Sequence, residues 1–157
     1  MTRPATPPSE AAARAHAASP SLMVVGHGTR DADGLEEFWT LAGHVREAAG
    51  ELPVGFGFIE LAEPLVDTGI DELVAQGSRE VVSVPLVLLA AGHLKNDGPA
   101  ALTRARSRHP GVHFHMGRDL GIEPIVLDIV EERARAALGE VTEDTAVVLV
   151  AALGWLA

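Results

Sequence analysis

Hydrophobic positions along this chain follow two rhythms in strict alternation, short continuous runs and longer helical repeats. Leu22 to Val25 is a short apolar run closed by a turn that Gly26 and Gly28 bracket, the pattern of a buried strand. From Asp33 to Ala49 the apolar residues Leu35, Phe38, Ala42, Val45 and Ala49 recur at helical spacing, with Asp33 as cap and Gly50 as stop. Val54 to Leu61 predicts a second strand, weakened by Gly55 and Gly57. Glu63-Pro64 then opens a helix ended by Gly77, with Leu65, Ile70, Leu73 and Val74 on its inner face. Glu80 to Leu89 is the longest apolar run and predicts a central strand, in which Pro85 marks a bulge or the end of pairing. Asp97 and Pro99 supply a cap and an early helical residue for a third helix, and His109-Pro110-Gly111 stops it. Val112 to Met116 predicts a fourth strand, Glu123-Pro124 to about Leu138 a fourth helix, and Thr145 to Val150 a fifth strand.

Strand and helix repeated four times, with connections of a few residues, predict an α/β fold: one three-layer domain with a mainly parallel sheet flanked by helices. A chain of 157 residues suits a single core. Residues 22–150 are assigned to this domain, residues 1–21 to a flexible Ala- and Pro-rich tail, and residues 151–157 to an apolar C-terminal tail.

Parallelism is the step that leads toward chemistry. In such sheets the residues just past each strand line one crevice at the carboxyl edge. His27, Glu60 and His93 all stand at or just past strand ends, so three potential ligands from separate elements are expected to converge there. His115, near the end of the fourth strand, is placed to join them. Neutral imidazole suits cobalt, nickel, iron or zinc, and a carboxylate completes the shell or takes a proton. Arg30 and Lys95 follow the two histidines by three and two residues and form a basic rim for an anionic substrate.

Composition narrows the partners. With 22 acidic against 12 basic residues the net charge is -10, which argues against nucleic-acid or anionic-membrane binding and requires any anionic ligand to be met by local cations. Cysteine is absent, so a metal site must use His, Asp or Glu. No apolar run approaches the roughly 18 residues of a membrane span, and the N-terminal segment has no signal-peptide pattern, so a cytoplasmic protein is expected. The glycine-rich turn after the first strand invites a phosphate-binding reading, but G-x-G-x-x-G fails at Asp31, and neither GK[ST] nor G-x-S-x-G occurs.

The strings VVGHGTRD, GFIELAEP and VPLVLLAAGHLKND, followed by GPAALTRARSRHPGV, resemble the small ATP-independent class II chelatases, the sirohydrochlorin cobaltochelatase and ferrochelatase family, from about Leu22 to Leu138. The resemblance implies that His27 and His93 bind the incoming divalent metal, with Co²⁺ foremost and Fe²⁺ or Ni²⁺ as alternatives. It implies that Glu60 assists them, with Glu63 a poorer substitute. Arg30 and Lys95 would engage carboxylates of the tetrapyrrole substrate, and neither ATP nor an organic cofactor is needed. The string at His93 reads GHLKND, where relatives often carry a second basic residue in place of Asn96. Only one half of the longer family members is present, which implies a homodimer. Because protons compete with metal for imidazole, activity is expected to fall below about pH 6.5.

Two other classes fit parts of the pattern. A non-catalytic metal carrier needs the histidines but neither proton acceptor nor basic rim. A flavodoxin-like phosphate or nucleotide-binding module needs neither histidine. Phe38 and Trp39 are read as core anchors. His113 and His115 alternate with Phe114 and share one sheet face, in a structural role or as metal storage, while His16, His44 and His109 receive no role.

Overall fold

The computed structural model describes residues 20–88, 94–138, 145, 146 and 148, with the backbone alone at 94 and 95. Four strands and four helices alternate: β1 (Ser21–Gly26), α1 (Ala32–Ala49), β2 (Val54–Phe58), α2 (Val66–Ala75), β3 (Glu80–Pro85), α3 (Leu94–Arg108), β4 (His113–Met116) and α4 (Pro124–Leu138). The strands form one sheet in the order β2-β1-β3-β4, and every pairing is parallel. The expected α/β class is therefore what the chain adopts.

The order has a physical consequence for the layers. The first crossover moves from β1 one way to β2, and the next two move the other way, to β3 and β4. Right-handed crossovers must then place α1 on one face and α2 with α3 on the other. The core divides accordingly. Val24, Ala42 and Phe56 pack with Phe38 and Val45 of α1 on one side. Met23, Val25, Ile70, Leu73, Val81, Ala105 and Phe114 pack under α2 and α3 on the other.

Residue patterns explain the elements closely. In α1, Ala42 is fully buried and Leu35, Phe38, Val45 and Ala49 are half-buried, the face expected from their spacing. The glycines of β2 are there for packing. A Cβ at Gly57 would stand 2.7 Å from the Val66 Cα, and one at Gly55 would stand 2.9 Å from the Leu73 side chain, so α2 lies directly on the strand. Val54, Phe56 and Phe58 turn the opposite way, toward α1, where Phe38 and Trp39 meet Phe56 and Phe58 in edge-on and tilted contacts.

Several boundaries differ from expectation. Ser21, assigned to the tail, is a buried first residue of β1. Asp31, not Asp33, caps α1, its carboxylate accepting from the Gly34 amide at 3.2 Å. β2 ends at Phe58 instead of Leu61, because Glu63-Pro64 is not yet helical and α2 begins only at Val66. There Glu63 accepts a hydrogen bond from the Leu65 amide at 3.0 Å, and Leu65 is exposed outside the inner face. Pro85 does end β3. α3 starts at Leu94, which puts Asp97 inside its first turn and Pro99 within the helix. Trp39 lies at the margin, 37% exposed, and is only half of a core anchor. Of the expected fifth strand, Thr145, Ala146 and Val148 are described and none is in a strand; its other residues, both tails save Pro20 and Ser21, and Leu89 lie outside the described residues.

Candidate metal site at the carboxyl edge

β1 and β3 are neighbours whose outgoing connections run in opposite directions, so their carboxyl ends frame the switch-point crevice of the sheet. The chain leaves β1 at His27, on the rim of that crevice. Pairing with β2 continues past both strands: the Ile59 amide donates to the Gly26 carbonyl at 3.0 Å and the Glu60 amide to the His27 carbonyl at 3.1 Å. These two bonds align His27 with Glu60. Gly28 makes the turn possible, because its φ is +98° and a Cβ there would meet the Glu60 carbonyl oxygen at 1.8 Å.

His27 Nε2 stands 3.5 Å from Glu60 Oε1, with the two side chains about half exposed, 49% and 53%. The other ring nitrogen, Nδ1, lies 3.1 Å from the Gly28 carbonyl oxygen. A carbonyl only accepts, so this contact suits the tautomer with the proton on Nδ1, in which Nε2 is the lone-pair donor that faces the carboxylate. In that tautomer two lone-pair donors face each other across a gap open to solvent. Such a gap is stabilised by a cation between them, or by a proton shared between them.

Glu60 also lines a cleft with Ile59, Val66, Asp97, Ala101 and Arg104. The sequence pattern does not nominate Asp97 or Arg104 as site residues. The signal was available, since positions 97, 101 and 104 share one face of a helix, but it appears only once α3 is known to start at Leu94. Arg104 is held by Asp67 of α2, with Nη2 at 2.7 Å and Nε at 3.3 Å from Oδ2. Burial alone would push the Asp67 carboxyl up, but its hydrogen bonds from Arg104 and Arg108 outweigh that and hold it below the usual carboxylate range.

The other sequence-predicted residues divide. Arg30 is exposed just ahead of the α1 cap, on the same edge as His27. His93 lies outside the described residues, as does the side chain of Lys95, whose backbone belongs to the first turn of α3. His115 does not join the carboxyl edge: its Nε2 is 3.3 Å from Glu80 Oε1, at the start of β3 and hence at the opposite edge of the sheet. His109, given no role, pairs with Asp71 at 2.6 Å.

Comparison with known proteins gives this geometry a context. A family model described as CbiX matches residues 21–137. A sirohydrochlorin cobaltochelatase from Priestia megaterium is 38% identical over 133 residues, covering 82% of this chain and 43% of that protein. A shorter one from Sulfolobus acidocaldarius is 30% identical over 118 residues, covering 74% of this chain and 91% of that protein. Among solved structures, the sirohydrochlorin chelatase SirB of Bacillus subtilis subspecies spizizenii in complex with cobalt superposes with a TM-score of 0.71 at 32% identity, covering 74% of this chain and 50% of that one. The chain thus spans about half the length of the first relatives it matches. With the family model covering most of the chain and the same parallel sheet in its structural neighbours, this chain belongs to the CbiX family.

Proposed function

We propose that this chain inserts a divalent metal ion, Co²⁺ foremost, into sirohydrochlorin. The observation that carries the reading is the facing pair of His27 Nε2 and Glu60 Oε1, 3.5 Å apart at the carboxyl edge of a CbiX-family sheet. The names of its relatives support the substrate, and they include both cobaltochelatases and ferrochelatases.

Insertion must strip water from the ion, break two pyrrole N–H bonds and form four metal–nitrogen bonds. His27 and His93 are assigned to hold the ion in exchange for water, with His27 offering the Nε2 that the Gly28 contact leaves bare. Glu60 is assigned to receive the two displaced protons one after the other beside the ion and to release each to solvent, to which it is half open. Arg30 and Lys95 are assigned to peripheral carboxylates of the tetrapyrrole, which a protein of net charge -10 must meet with local cations.

A homodimer in the cytoplasm belongs to the same proposal. Its support is the apolar surface of α4, where Ile125 is 67% and Leu127 56% exposed and no residue is buried. A further support is that relatives of about twice this length match over one half.

The test follows the absorbance of sirohydrochlorin with Co²⁺ at neutral pH, for the wild type, His27→Ala and His93→Ala, against the uncatalysed rate. The expected result is acceleration by the wild type that falls at least about 100-fold in each variant. Folded wild-type protein that binds Co²⁺ without accelerating insertion would replace the chelatase with a metal carrier.

A further inference from the structure

Arg104 belongs both to the contacts between α2 and α3 and to the cleft beside Glu60. That cleft holds about 280 Å³ and is lined by Ile59, Glu60, Val66, Asp97, Ala101 and Arg104. Ligand pockets span roughly 300–1,000 Å³, so this one admits an arm of a large ligand and not a whole macrocycle. Arg104 is the only cation among the described residues that line it, and it stands there with two carboxylates. Without that cation, Glu60 and Asp97 would repel any anionic arm entering the cleft.

The guanidinium is both oriented and open. Its Nε at 3.3 Å and Nη2 at 2.7 Å donate to one oxygen of Asp67, Oδ2, while the other oxygen, Oδ1, accepts from Arg108 at 2.7 Å. Asp67 therefore engages only the side of the Arg104 fork. The end of the fork, one hydrogen of Nη1 and the second of Nη2, donates to no described residue, and the side chain is 54% exposed. Two parallel N–H groups in a fixed plane are the geometry that takes a carboxylate bidentately. Because Asp67 already restricts the long side chain, less rotamer freedom is left to lose on binding.

We propose that the free end of the Arg104 guanidinium binds one peripheral carboxylate of the tetrapyrrole in the cleft beside Glu60, as a substrate-positioning group in addition to Arg30 and Lys95. The inference rests on the chelatase reading and deepens it. A carboxylate held there anchors the macrocycle next to the group assigned to take its protons. Arg30 precedes α1 and Arg104 lies on α3, helices on opposite faces of the sheet, so the two cations come to the site from different layers.

The test is the equilibrium binding of metal-free sirohydrochlorin, followed by its fluorescence, to the wild type, Arg104→Gln, Arg104→Lys and Asp67→Asn, with the circular dichroism of each recorded and Co²⁺ insertion measured in parallel. Arg104→Gln is expected to weaken binding about 10-fold and to raise KM for sirohydrochlorin by a similar factor, with kcat and Co²⁺ affinity unchanged. Arg104→Lys keeps the ion pair to Asp67 but not the fork, and is expected to fall between that variant and the wild type. Asp67→Asn breaks the same helix contact but leaves the guanidinium, and is expected to lose less than Arg104→Gln. Wild-type affinity in either Arg104 variant would overturn the proposal and leave the chelatase reading standing. Equal losses in Arg104→Gln and Asp67→Asn would overturn it too, by assigning the effect to the helix contact. A wild type that binds no sirohydrochlorin would instead remove the chelatase reading, and this proposal with it.

Discussion

At the scale of single residues, the site depends on an atom that is missing. Gly28 lets the chain turn with φ +98° while the Glu60 carbonyl comes close enough to forbid any Cβ. Gly28→Ala is therefore expected to cost about 1–3 kcal/mol in urea unfolding and to pull His27 away from Glu60, lowering Co²⁺ affinity at that site. Unchanged stability and affinity would show that the turn tolerates a side chain. His27 and Glu60 were legible in the sequence because each follows a strand, and strand ends in a parallel sheet need no model of the loops to be placed together. His115 was misplaced for a related reason: β4 is only four residues long, and its register against Glu80 sets those residues opposite the beginning of β3, not its end. In the sequence Asp97 looks like a cap because Pro99 suggests a helix start nearby, whereas α3 begins three residues before Asp97.

At the scale of elements, α2 and α3 are joined by a clasp of charges outside the core. Asp67 receives Arg104 at 2.7 Å and Arg108 at 2.7 Å, while Asp71 receives Arg108 at 3.0 Å and His109 at 2.6 Å. Isolated exposed pairs contribute little, but a shared network fixes geometry, and this one orients the helix that begins one residue after His93. Burial opposes ionisation of Asp67 and Asp71, yet the hydrogen bonds they accept hold both carboxyls below their ordinary value. A depressed carboxyl contributes stability that is present above the unfolded value near 3.9 and is lost as pH falls through the folded one. Asp67→Asn is accordingly expected to lose about 1–2 kcal/mol at pH 7 and to be less sensitive than the wild type to acidification from pH 5 to pH 3. Parallel acid-unfolding curves for the two proteins would show that the clasp does not contribute to stability. The elements themselves were legible from apolar periodicity, α1 almost residue for residue. The glycines of β2 looked like a weakness in the strand because their reason, the close approach of α2, lies in tertiary packing.

For the whole molecule, strand and helix alternation predicts a parallel sheet but not its order. The order β2-β1-β3-β4 makes β1 and β3 neighbours and so turns two separate strand ends into one crevice. The exposed apolar residues of α4 are a property of the same scale, since nothing described within the chain covers them. Sedimentation equilibrium is expected to find a dimer, and Ile125→Glu to raise its dissociation constant at least about 10-fold. A wild type that stays monomeric at high concentration would remove the homodimer from the account.

On the proposed function, metal is taken up at the carboxyl edge, between the imidazole of His27 and the carboxylate of Glu60. Anomalous diffraction from crystals soaked in Co²⁺ locates the ion directly. A cobalt peak is expected about 2.1 Å from His27 Nε2 with the Glu60 carboxylate beside it. Cobalt at His113 and His115 alone, with His27 free of metal, would contradict it.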